Sequence, residues 1–191
     1  MEVYDFIDFL FQLRNQPIQS EFFIIDINLV LERELSGYRV INRLLAPITS
    51  EVEVLEIEKA LNSIGNNKKY KGANIHLNEA LIKLSDRENP DYRNSIKESI
   101  SAIESISKDI ANNKKADLAM AMKELKRVIN IHPALEQGFV KIYGYTSDGD
   151  GIRHALTDEP NLGQEDALFM LVASSAFINY LIAKAEKAGK D

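Results

Sequence analysis

A chain of 191 residues with 45% hydrophobic and 27% charged side chains has the composition of one globular domain, or of one domain with an extension, and excludes a disordered or fibrous protein. It contains no cysteine, which rules out disulfides, a thiolate metal site and a cysteine nucleophile. The formal net charge of -6 is unevenly spread: residues 1–65 carry 5 basic and 11 acidic side chains and residues 66–127 carry 13 and 9, so only the middle third offers phosphates a favourable field.

Met1-Glu2-Val3-Tyr4-Asp5 lacks the basic and apolar regions of a secretory signal, and a cytoplasmic location is expected. Val3, Phe6, Ile7, Leu10, Phe11 and Leu13 then recur at helical spacing up to Pro17, predicting a first helix over residues 2–15. A second covers 19–35 and stops at Ser36-Gly37, read as its C-terminal cap. The period changes at Tyr38–Ile41 and Leu44–Ile48, which flank Asn42-Arg43 as a short β-hairpin with Pro47 at an edge. Ser50 with Glu53 forms a capping box for a third helix, ended by Gly65-Asn66-Asn67. These signals divide the chain into a helix-hairpin-helix extension, residues 1–65, and a helical bundle, residues 66–191.

The bundle opens with a fourth helix over 73–84. Asn89-Pro90 starts a fifth, in which Ile96, Ile100, Ile103, Ile106 and Ile110 form a stripe over four turns. A sixth helix spans 116–131, Pro133 begins a shorter seventh, and the last runs from Gln164 to Lys187. Its apolar stretch from Leu168 to Ile182 is interrupted by Ser174, Ser175 and Asn179, so it reads as a buried core helix and not a membrane span. Short connections between helices predict an all-α, antiparallel up-and-down bundle.

The chemistry concentrates in Gly149-Asp150-Gly151-Ile152-Arg153-His154. Arginine forks onto phosphate and histidine passes a proton near neutrality, so Arg153 beside His154 suits phosphodiester chemistry, with Gly151 in a turn whose backbone N–H groups would attract an anion. The fifth helix has a second face, Asn94, Glu98, Ala102 and Ser105, whose small residues let another element approach and whose Glu98 can orient a guanidinium or an imidazole. A buried ion pair locking two helices predicts the same contacts. His76 borders the apolar face of the fourth helix, and His132 is expected at a helix C-terminus, where the dipole favours it. Tyr70 and Tyr92, near the basic segment, could stack on bases or pack.

No metal site is expected from three scattered histidines without His-Glu-x-x-His. Asp148-Gly149-Asp150-Gly151 starts a calcium loop without its third ligand or closing glutamate, Gly149 and Gly151 start a dinucleotide fingerprint without finishing it, and no P-loop occurs, so no cofactor is expected.

Asn89-Pro90-Asp91-Tyr92-Arg93-Asn94-Ser95-Ile96-Lys97-Glu98-Ser99-Ile100, with Gly144-Tyr145-Thr146-Ser147-Asp148 and Gly151-Ile152-Arg153-His154, resembles the C-terminal region of AbiJ-type abortive-infection proteins of the HEPN superfamily of helical bundles. Ser36-Gly37-Tyr38-Arg39 and Pro47-Ile48-Thr49 look like the preceding segment of such proteins. Active superfamily members are metal-independent ribonucleases with a composite site where two bundles pair. The resemblance therefore implies phage defence, a homodimer and an RNA partner, with neither DNA nor membrane. It implies that Arg153 binds the scissile phosphate, that His154 is the acid-base group, and that Glu98 and Asn94 support them. Apart from the resemblance, His76 and Arg93 are further candidate site residues.

The superfamily's histidine follows its arginine after four to six positions, and here Asp158, Glu159 and Pro160 occupy those places. Two alternatives to a ribonuclease follow. One is a non-catalytic module for dimerisation or for RNA or protein binding. The other is the toxin half of a nucleotidyltransferase pair, with Tyr143 or Tyr145 as the modified hydroxyl and an antitoxin or trigger protein as partner.

Overall fold

The computed structural model describes residues 3–12, 21–147 and 162–189. Its elements are α1 (Val3–Gln12), α2 (Glu21–Arg33), β1 (Arg39–Ile41), β2 (Leu44–Ala46), α3 (Glu51–Gly65), a 3-10 turn (Lys68–Tyr70), α4 (Lys71–Ser85), α5 (Tyr92–Ala111), α6 (Leu118–Val128), α7 (Pro133–Ser147) and α8 (Gln164–Lys187). This is an all-α bundle with one two-stranded hairpin, as the periodicity predicts, and α8 has the bounds its pattern implies.

Side chains that compete for backbone groups set the helix starts. Ser50 Oγ accepts from the Glu53 amide at 3.4 Å to open α3, and Asp117 accepts from the Met120 amide at 2.7 Å to open α6. Asp91 accepts from the Asn94 amide at 3.0 Å to open α5, so that helix begins at Tyr92 and Pro90 stays outside it. In the hairpin, Asn42 and Arg43 both take positive φ, 48° and 66°, the type I′ turn whose twist matches that of the strands, with Ile41 paired to Leu44 and Val40 to Leu45.

Three expectations are corrected. The cap of α2 is Leu35, not Ser36-Gly37: Leu35 adopts φ 53°, and the amides of Leu35 and Ser36 return to the carbonyls of Glu32 and Leu31. α6 stops at Val128, because Ile129 is extended and the residue before Pro133 is biased the same way. His132 consequently serves the start of α7 and not the end of α6, with Nδ1 accepting from the Ala134 amide at 3.2 Å.

Among the described residues, apolar side chains gather in two clusters. The larger takes the isoleucine stripe of α5 together with Ile57 and Ile64 of α3, Leu77 and Leu81 of α4, Leu125 of α6, and Leu171 and Ile178 of α8. Thus α8 is a core helix, even though it is long and apolar enough by composition to cross a membrane; half of that apolar window is buried. Asn179 ties it to α3 by donating to the backbone carbonyl of Glu56 at 3.0 Å and to its carboxylate at 2.8 Å. The smaller cluster joins Ile7 and Phe11 of α1, Leu31 of α2, and Val40 and Leu45 of the hairpin.

Alternate hairpin residues point to opposite faces, so Val40 and Leu45 enter the small cluster while Ile41 and Ala46 enter the large one. Polar contacts reinforce the join. Asn28 of α2 brackets Val40, accepting from its amide at 2.7 Å and donating to its carbonyl at 2.9 Å. Arg87, after α4, pairs with Asp5 at 2.6 Å and Asp8 at 2.9 Å on α1.

Candidate functional site

α4 and α5 pack closely because small groups meet between them. A Cβ at Gly72 would run into the Ser105 hydroxyl, Ala102 is fully buried, and Ser95 Oγ donates across to the Ala80 carbonyl at 2.8 Å. The element admitted by the small face of α5 is therefore α4. One turn beyond Gly72 stands His76, whose Nδ1 lies 2.7 Å from Glu98 Oε2. The histidine side chain is 40% exposed and the carboxylate 18%, so the pair bridges the two helices with its imidazole at the protein surface.

This geometry constrains the imidazole. A carboxylate only accepts, so Nδ1 carries a proton toward Glu98 and, in the neutral ring, Nε2 is left as the base. A carboxylate behind a histidine fixes its tautomer and orientation, an arrangement found where a histidine moves a proton. The pair can take a proton from a hydroxyl or give one to a leaving oxygen.

The other site residues of α5 are engaged locally. Asn94 donates its side-chain amide to Asp91 at 2.7 Å in addition to its backbone amide, and Arg93 is half-buried beside the same carboxylate. Burial pushes the Asp91 carboxyl up, but the two Asn94 hydrogen bonds and the Lys83 and Arg93 cations outweigh it and hold the group below the usual carboxylate range. Tyr70 is 1% exposed and Tyr92 packs on the large cluster, so both contribute packing. Tyr143 is half-buried on the same cluster. Gly151, Arg153 and His154 lie outside the described residues, as do Asp148, Asp150 and the side chain of Tyr145. Among the described residues no three histidine, aspartate or glutamate side chains gather as a metal site.

Sequence spacing shows His76 as a lone residue and Glu98 as part of a stripe. Their meeting across 22 residues depends on the register of α4 on α5, which no local pattern encodes. A signal did exist: Gly72, four residues before His76, marks a face of α4 that must come close to a neighbour.

No curated protein and no solved structure matches the chain. Residues 1–63 match the family described as AbiJ N-terminal domain 4. The match supports the AbiJ resemblance and corrects its place: the shared domain is an N-terminal one over α1, α2, the hairpin and most of α3, where a C-terminal region was expected. Over those residues the chain is similar to AbiJ-type abortive-infection proteins.

Proposed function

We propose that the chain is a cytoplasmic phage-defence effector whose bundle, of the HEPN type and paired as a homodimer, cleaves RNA without a metal. The observation that carries this reading is the surface pair His76–Glu98, an oriented imidazole on the most basic part of an acidic chain. Cleavage would proceed by attack of the ribose 2'-hydroxyl on the adjacent phosphorus. His76, or His154 as the sequence resemblance has it, takes the hydroxyl proton or protonates the departing 5'-oxygen, Arg153 neutralises the phosphorane, and Glu98 holds the imidazole.

The test is cleavage of single-stranded RNA in chelator, together with growth arrest in cells, for the parent and for His76→Ala, Glu98→Gln, Arg153→Ala and His154→Ala. Loss of the acid-base group or of the arginine should lower the rate on the order of a hundredfold. Glu98→Gln, which removes the charge but keeps a hydrogen-bonding side chain, should lower it less. Four variants as active and as toxic as the parent would end this reading.

A non-catalytic binding module is the second reading, favoured by the apolar face of α1 and α2, where Phe22 is 81% exposed and Val3 71%. It predicts a partner bound and RNA left intact.

A further inference from the structure

α1 and α2 leave an open groove of about 820 Å3 between them, floored by Ile7 and Leu31 and walled by Phe6, Leu10, Phe23 and Val30. Its walls are open to water, with Phe6 and Val30 each 48% exposed, and the apolar surface continues along α2 at Ile25 and Leu29. Scattered hydrophobic side chains on a surface need no explanation, but a contiguous aromatic and aliphatic groove marks a binding site. Its length suits a helix: α2, with 13 residues, runs about 20 Å, and an amphipathic helix seats such a groove through side chains three and four apart.

Charge selects the occupant. Asp26 and Glu34 line the groove, Glu21 and Glu32 stand on the same helix, and Asp5 and Asp8 lie on α1. The one cation in the described sequences of the two helices, Arg33, is paired with Glu34, and Arg87, which reaches α1 from the core, is paired with Asp5 and Asp8. A second copy docked by the same face would set acid against acid across the twofold axis, and an anionic lipid surface would be repelled. We propose that this groove docks one amphipathic helix of a partner protein, with large aliphatic residues on its apolar side and lysine or arginine along its edges. The site is separate from the His76–Glu98 pair, and its test does not depend on RNA cleavage.

Fluorescence anisotropy with two synthetic helical peptides of about 18 residues tests it, one of leucine and lysine and one of leucine and glutamate with the same apolar pattern. The lysine peptide should bind the full chain at micromolar affinity and at least about tenfold more tightly than the glutamate peptide. Phe6→Asp with Val30→Asp should then weaken it by about tenfold or more. Added carboxylates would tighten a purely electrostatic association, so weakening assigns the binding to the groove. A benzophenone side chain replacing Val3 should cross-link the lysine peptide in the otherwise unaltered protein, which keeps the test decisive if the double variant unfolds. Equal affinity for both peptides, tighter binding by the variant, absence of binding, or a parent dimer that Phe6→Asp converts to a monomer would each overturn the proposal.

Discussion

α5 and the α1–α2 pair are built from the same kinds of apolar residue and meet opposite fates. Ile96, Ile100, Ile103, Ile106 and Ile110 are almost fully buried, whereas Phe22, Ile25, Leu29 and Val30 on α2 stand largely in water. Hydropathy does not account for this, since the exposed α1 and α2 are the more apolar helices; the supply of neighbours does. α5 is flanked by α4, α6, α7 and α8, while α2 leans on β1 and α1 on β2. A stripe predicts that a helix has a face to cover, and only the topology says whether this chain supplies the cover.

Core truncation probes that difference most strongly. Ile103→Ala should cost about 3–4 kcal/mol and lower the melting temperature by roughly 10 °C, whereas Leu31→Ala in the small cluster should cost about 2 kcal/mol or less. Calorimetry showing equal losses would mean that the two regions are one cooperative core. Arg87→Ala should loosen the arm formed by α1 and α2 alone. Hydrogen exchange should show α1 amides losing about tenfold of their protection with α5 amides unchanged, and loss in both helices would refute the separation.

Two carboxylates sharpen the contrast through pH. The depressed Asp91 group contributes stability above its unfolded value of about 3.9 and loses it as the pH falls through its folded value. Asp91→Ala should therefore cost about 1 kcal/mol at neutral pH and little in acid, measured by urea denaturation. Glu58, on α3 facing α2, has the opposite sign. Burial and then the nearby Glu21 charge push its carboxyl up, so its folded form is favoured below the unfolded value and penalised as the pH rises through the folded one. Glu58→Gln should stabilise the protein near pH 7 and be neutral near pH 3. The smallest effect is Leu35→Gly, which relieves a positive φ and should add about 0.5 kcal/mol, read as a higher urea midpoint.

Most of the architecture was legible because its signals are local. Helical periodicity, the Ser50 cap and the Asn42-Arg43 turn each depend on residues close in sequence. The misses come from competition between neighbouring signals. Pro90 resembles a helix start until Asp91 captures the Asn94 amide, and Ser36-Gly37 resembles a cap until Leu35 takes the left-handed position. Less of the site was legible. Glu98 and His76 were each visible, but their pairing follows from how α4 lies on α5, and that register is set by Gly72, Ala102 and Ser105 acting over two helices.

The two-faced hairpin carries a mechanical consequence. With Val40 pinned by Asn28 on one side and Ile41 sealed into the bundle on the other, a slip of one residue would exchange the side chains of both clusters at once. Sliding along the strand is thereby blocked, and a load applied to α2 has two outlets: tilting the whole ribbon, which carries Ile41 and Ala46 with it, or peeling the arm away intact.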